Sequence, residues 1–338
     1  MVRKKEAVRR SGGQGIKGQS VQSPLIITKG GIGAQPVTFS FDSPSPILED
    51  WPPGKDRYMP HYIHPGQDTF LIKPPRSYFQ GCKLLIAVLS RTVSTQVRNH
   101  IRSTWKTLTN ESCVVFVLGR TQNQDDIRKE AFENQDVLQA PMVDNYNNLT
   151  LKSVFVLKYF LDESNFDEKP FYLMKADDDC YINVPQLLKL LETKALQNST
   201  LFMLGYRHGT ATHPVRPITD QKSKWYVPTY MYNGRTFPVY INGPGYVTTR
   251  DAATCLYAKA LDLPFFHIED VFMSFAAERC KIPRYHCTGF HNLRVPLKQV
   301  KPSDILWTDL RSNEMESMHQ LVNRKGNLTD SEIATRKV

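Results

Sequence analysis

No stretch of this 338-residue chain approaches the ~18–20 consecutive apolar residues that carry a helix across a bilayer. The longest apolar run, Leu84 to Leu89, has only strand length. A secretory leader is missing too, since no basic start, apolar block and small-residue cleavage site follow one another. The expectation is a cytosolic chain, or one whose membrane or export segment lies outside this sequence. No repeat period is visible, so a solenoid has no support. The six cysteines (Cys82, Cys113, Cys180, Cys255, Cys280, Cys287) include no Cys-x-x-Cys pair. Zinc-ribbon and thioredoxin-like readings therefore lack their spacing, while disulfides and buried thiols both stay open. Acidic residues are scarce at the start: residues 1–30 hold seven Lys and Arg against Glu6 alone. That segment carries +6 of the total +10, leaving +4 for the other 308 residues. A basic tail accounts for most of the imbalance, and nucleic acid is not expected as a partner.

What is present reads as globular, with 41% apolar, 11% aromatic and 22% charged residues. Residues 1–78, Gly-rich and basic and then Pro-rich, are expected to form a flexible or loosely packed leader. Order is expected to start near Cys82, with the folded domain over 79–310 and a polar, partly helical tail over 311–338. Within the domain, short apolar runs at 84–89, 113–118, 171–174 and 201–204 alternate with helical patterns at 95–106, 124–134, 148–161 and 184–196. That alternation predicts an α/β domain with a mostly parallel sheet. Residues 207–245, rich in Pro, Gly, Tyr and Lys, suit a substrate-facing surface, and helical periodicity returns at 250–260 and 269–280. Asn-x-Ser/Thr sequons at Asn110, Asn148, Asn198 and Asn327 tilt the chain toward a secretory lumen, although Asn148 also reads as a helix cap.

Three carboxylates, Asp177, Asp178 and Asp179, end the run Phe171 to Met174. Like charges side by side repel, and their place where a strand emerges makes a divalent cation with oxygen ligands the better reading than a solvated turn. Arg98 and Arg102, at i and i+4 with Ile101 and Trp105 on the buried face, suit a pyrophosphate or an ordinary solvated face about equally. Glu269 and Asp270 open a helix after an apolar loop, as first-turn acids or as a general base. Gly243 and Gly245 permit close backbone approach to a ligand or simply turn the chain. Trp225 and Tyr246 could stack on sugar rings or pack.

Taken in order, Arg98-x-x-Ile-Arg-x-Thr-Trp105, Asp144-x-Tyr146-x-Asn148-Leu-Thr-x-Lys152, Lys175-Ala-Asp-Asp-Asp179, Phe237-Pro-x-Tyr240-x-x-Gly243-x-Gly-Tyr-Val247 and Glu269-Asp-Val271 strongly resemble the beta-1,3-galactosyltransferases and beta-1,3-N-acetylglucosaminyltransferases of the Golgi. The resemblance covers roughly residues 82–290. It implies a GT-A type fold, a Rossmann-like nucleotide-sugar half fused to an acceptor half. It also implies UDP-galactose or UDP-N-acetylglucosamine as donor, Mn²⁺ as cofactor, inversion at the anomeric carbon, and a glycan acceptor on protein or lipid. By the same resemblance Asp179 and Asp177 would hold the metal, and Arg98, Arg102, Lys152 and Asp178 the donor. Asp270 would be the catalytic base, with Trp225, Gly243, Gly245, Tyr246 and Glu269 on the acceptor side. A Golgi membrane location with a lumenal catalytic domain is inherited from the family, and self-association into a homodimer stays open.

Several positions depart from the family pattern. Ser274 replaces a glycine, Cys180 an aliphatic residue, and the metal-binding histidine near the C-terminus has no counterpart; His286 and His291 fall early, and Asp309 is nearer in register. The family's membrane anchor is absent, so the basic leader reads as a truncated or misassembled start. Those departures leave two rivals: a carbohydrate-binding or chaperone-like relative without catalysis, and a cytosolic Mg²⁺-dependent phosphotransferase.

Overall fold

The computed structural model describes residues 47–162, 166, 171–193, 196, 199–301 and 303–326. Its centre is a seven-stranded sheet. Four strands are parallel: β1 (Leu84–Leu89), β2 (Ser112–Arg120), β3 (Val137–Val143) and β4 (Tyr172–Asp177). Beyond them, β5 (Tyr181–Ile182) leaves the sheet, and β6 (Met203–His208), β7 (Tyr240–Thr249) and β8 (Arg284–His286) complete it in the order β3-β2-β1-β4-β7-β6-β8. β7 runs antiparallel to both β4 and β6. The alternating pattern predicts this mixed α/β arrangement, and the family resemblance implies its GT-A type.

The continuous apolar runs follow from burial on both faces. Leu85, Ala87 and Leu89 of β1 enter one hydrophobic cluster, while Leu84, Ile86 and Val88 enter another on the opposite face. On the first side lie α4 (Leu149–Leu161), α6 (Arg250–Leu261) and α7 (Glu269–Arg279), after α1 (Pro60–Ile63), α2 (Thr95–Ser103), α3 (Gln124–Asn134) and α5 (Val184–Leu191) in chain order. On the second side, Ile101 of α2 and Leu187 and Leu191 of α5 meet α8 (Ser312–Gly326). Strands β2 and β3 march outward from one side of β1, and β4 starts on the other. The strand order therefore reverses between β1 and β4, where α/β sheets open a crevice at their carboxyl ends.

Three expectations need correction. The leader does not extend to residue 78, because Trp51, Met59 and Ile63 are core residues. Trp51 stacks on Phe265 with ring centroids 3.5 Å apart, and its indole N–H donates to Asn148 Oδ1 at 2.8 Å. Nor is 311–338 merely a polar tail, since α8 buries Met315, Met318 and Val322 at i, i+3 and i+7. The glycine-rich stretch at 240–247 is a strand rather than a loop.

Of the sequons, Asn110 is exposed in a bend. Asn148 is buried, its amide occupied by Trp51 and by the Val143 carbonyl, so it is neither a glycan acceptor nor a side-chain cap. Asn198 and Asn327 lie outside the described residues. Cys255 and Cys280 form a disulfide joining α6 to the end of α7, while Cys82, Cys113 and Cys180 are buried thiols.

Candidate active site

The parallel pairing of β1 with β4 sets Leu89 beside Asp177, so the acidic triplet emerges at the crevice. A cavity of about 540 Å³ opens there. Its walls come from the end of β4 (Lys175, Asp177), the start of β7 (Tyr240, Asn242, Gly243) and the first turn of α7 (Glu269, Asp270). A fourth wall is the segment that bears Arg216, Lys224 and Trp225, and Asp179, Thr308 and Asp309 close the rim. The short β9 (Leu306–Trp307), paired with β5, delivers Asp309 to that rim, and the Leu310 N–H donates to the Asp179 carbonyl at 3.0 Å. Asp309 has left-handed backbone (φ 59°), a region uncommon for non-glycine residues and reached by aspartate more readily than by most.

Lys175 organises the carboxylates. Buried in β4, its ammonium donates to Asp177 Oδ1 at 2.6 Å and to the Gly243 carbonyl at 2.5 Å, and stands 3.7 Å from Glu269. Burial disfavours its charge, but Asp177 and Glu269 more than offset that and push its pKa above the usual range. Burial pushes Asp177 up to about 7, Lys175 opposing and Asp179 and Glu269 adding. Asp179 is raised by burial, then by Asp178 and Asp309. These are the marks of carboxylates crowded without enough positive charge.

Asp270 is held by two backbone donors, Gly243 N–H to Oδ2 at 3.1 Å and Val271 N–H to Oδ1 at 2.8 Å. Burial pushes it up to about 7, with Glu269 adding to the push and Lys175 and the two N–H groups opposing it. A carboxylate poised near neutrality is suited to proton abstraction. Tyr146, a motif position given no role from sequence, lines the same cavity as Trp225 and lies in the fields of Asp177 and Asp270.

Several predicted binding residues are placed elsewhere. Arg98 is fully buried, donating to Glu130 (2.5 and 2.7 Å), Ser90 Oγ and the carbonyls of Arg91 and Thr92. Arg102 grips Asp136 and Glu130, and lies over the Phe116 ring. Lys152 pairs with Asp144 at 2.7 Å and donates to the Ser90 carbonyl at 2.6 Å. None of the three lines the cavity. Arg98 and Lys152 fix the loop after β1, with Arg102 sharing Glu130 with Arg98, and from that loop Ser90 Oγ donates to Asp178 at 2.8 Å, so their action on a donor would pass through it. Asp178 itself does not face the cavity.

On the acceptor side Trp225, Gly243 and Glu269 line the cavity, but Gly245 and Tyr246 do not. A Cβ at Gly245 would meet Leu306 at 2.3 Å, so that glycine serves close packing. Tyr246 is buried with its hydroxyl donating to Glu269 at 2.8 Å. Ser274 is fully buried in α7, away from the cavity. His286 accepts the Arg207 N–H and His291 pairs with Asp304, so neither joins the acidic cluster. Among the described residues no three His, Cys, Asp or Glu side chains converge as a ready-made metal centre. The crowded pair Asp177 and Asp179 nevertheless fits a divalent cation whose remaining ligands are oxygens of a bound substrate.

Residues 96–288, more than half of the chain, match the galactosyltransferase family model. The chain belongs to the galactosyltransferase family. Human beta-1,3-galactosyltransferase 1 is 26% identical over 275 residues, covering 75% of this chain and 81% of the relative. Beta-1,3-galactosyltransferase brn of Drosophila melanogaster is 32% identical over 216 residues (62% and 64% covered). Lactosylceramide 1,3-N-acetyl-beta-D-glucosaminyltransferase B of Danio rerio is 29% identical over 233 residues (60% and 59% covered). Membership makes this galactosyltransferase relative a hexosyltransferase, and it removes the phosphotransferase reading.

Proposed function

We propose that the chain transfers galactose or N-acetylglucosamine from a UDP-sugar to the 3-hydroxyl of a glycan on protein or lipid, in beta-1,3 linkage and with inversion. The supporting observation is that Asp270 and the pair Asp177 and Asp179 share one cavity. Mn²⁺ bound at Asp177 and Asp179 would supply Lewis-acid neutralisation of the diphosphate leaving group. Lys175 holds Asp177 in place for that task, and Asp178 anchors the triplet to the loop after β1 through Ser90. Asp270 takes the proton of the acceptor hydroxyl as its oxygen bonds to the anomeric carbon and the bond from that carbon to UDP breaks. The two N–H donors keep its carboxylate aimed during the transfer. Trp225, 48% exposed beside Tyr146, offers a stacking face for the acceptor sugar.

The reading extends to a Golgi membrane location with a lumenal domain. The Cys255–Cys280 disulfide and the exposed Asn110 sequon support an oxidising lumen. Among the described residues no helix is long and apolar enough to cross a membrane. The test is a screen of UDP-sugars against simple glycosides with manganese present. We expect a beta-1,3-linked product from one of the two donors, lost on chelation and restored by manganese. Absence of both transfer and donor hydrolysis would overturn the reading.

A further inference from the structure

Beyond the basic first 30 residues, surplus positive charge is concentrated in one segment of the chain. Residues 207–245 hold Arg207, Arg216, Lys222, Lys224 and Arg235 against Asp220 alone, a net +4. Since residues 31–338 together also carry +4, the rest of that stretch is balanced. Two of these cations, Arg216 and Lys224, line the catalytic cavity, and both are exposed. Among the described residues neither has a carboxylate partner. Backbone bonds hold this wall in place: Phe237 N–H donates to the Val215 carbonyl and Val227 N–H to the Ile218 carbonyl, each at 2.8 Å. Lys224 lies 4.4 Å over the Trp225 ring, and Trp225 lines the cavity together with Tyr146 and Asp270.

The cavity thus holds charges of both signs. The carboxylates Asp177, Asp179, Asp270 and Asp309 are used by the cation and the base in the proposed reaction or stand beside them. The segment that bears Trp225 adds cations without carboxylate partners beside an aromatic face, an arrangement that a neutral saccharide leaves unused and an anionic oxygen completes. We propose that the preferred acceptor is a glycan carrying an anionic group, a uronate carboxylate or a sulfate ester, recognised by Arg216 and Lys224. This rests on the glycosyltransferase reading above.

The test uses the full chain with manganese and its active UDP-sugar, and acceptor glycosides of matched length that are neutral, uronate-bearing or sulfated. Acceptor KM, donor KM and direct acceptor binding by calorimetry are measured for the parent, Arg216→Gln, Lys224→Gln and the double variant. We expect an anionic acceptor to bind about tenfold more tightly at low salt, in line with one charge-assisted hydrogen bond. Whichever anionic acceptor has the lower KM identifies the group. The preference should collapse toward unity in the double variant, with unfolding temperature unchanged and partial rescue by Lys224→Arg. Equal KM for neutral and anionic acceptors would sink the proposal while leaving the transferase reading intact. A rise in donor KM, instead of acceptor KM, would also overturn it and give these cations to the diphosphate. Preferential binding of anionic glycans without any transfer would sustain it and sink the catalytic reading, and neither transfer nor preference would sink both.

Discussion

The surroundings of the cavity follow two opposite plans. Behind the β1–β4 crevice, out of the cavity itself, the charges are buried and saturated: Arg98, Arg102 and Lys152 each meet acids or carbonyls, and the loop that Arg98 and Lys152 hold anchors Asp178. On the side of residues 207–245 the charges and rings stand open, with Trp225, Arg216 and Lys224 unsupported by acids. Saturated buried networks fix position, because breaking one leaves a costly orphan charge. Open side chains on a pinned backbone set affinity instead. The same molecule therefore separates where the reaction happens from what is bound.

The largest effect that would sharpen this contrast belongs to Asp270, the proposed base. Asp270→Asn should cut transfer by about 10²–10⁴-fold, the usual worth of a general base, with UDP binding by calorimetry nearly unmoved. Retained turnover would show that another group takes the proton. Next comes Glu130→Ala, which leaves Arg98 buried without its acid; the loss should be about 3–5 kcal/mol, read by denaturant unfolding. Unchanged stability would mean the network is not a support.

A smaller effect is expected on the open wall. Trp225→Ala should raise acceptor KM about tenfold, from lost stacking, without shifting the unfolding midpoint. If stability fell as for Glu130→Ala, the two plans would not differ in kind. Smallest is the pH response. With its pKa raised to about 7, Asp270 is protonated and idle below that pH, so kcat/KM should climb through about pH 7 and level off above it. A profile already flat at pH 5 would contradict the buried setting of this carboxylate.

The parallel strands were legible because doubly buried strands read as short unbroken apolar runs, and the triplet was legible because it ends one of them. Asp270, taken from motif order, and Trp225, taken from an aromatic-rich segment, both line the cavity. The arginines were misplaced, since sequence displays cations at i and i+4 but hides that Glu130, Asp136 and Asp144 arrive from α3, the residue before β3 and the turn before α4. Asn148 shows the same limit, as its sequon says nothing of the Trp51 indole that occupies the amide. Trp51, Met59 and Ile63 escaped because irregular segments dock by shape and carry no period. The spacing of Met315, Met318 and Val322 in α8 was a visible helical signal, masked by polar neighbours. Lys175 offered a clue as well, a lone cation inside an apolar strand.

The cross-link between Cys255 and Cys280 closes a 25-residue span that contains Asp270. A loop of this size restricts the unfolded chain by about 3 kcal/mol. In a reducing environment the helix that presents the proton acceptor would lose its only covalent strap among the described residues. Oxidation during maturation would then act as a licence, giving the newly made chain a fully braced reaction centre only once its thiols have met an oxidant.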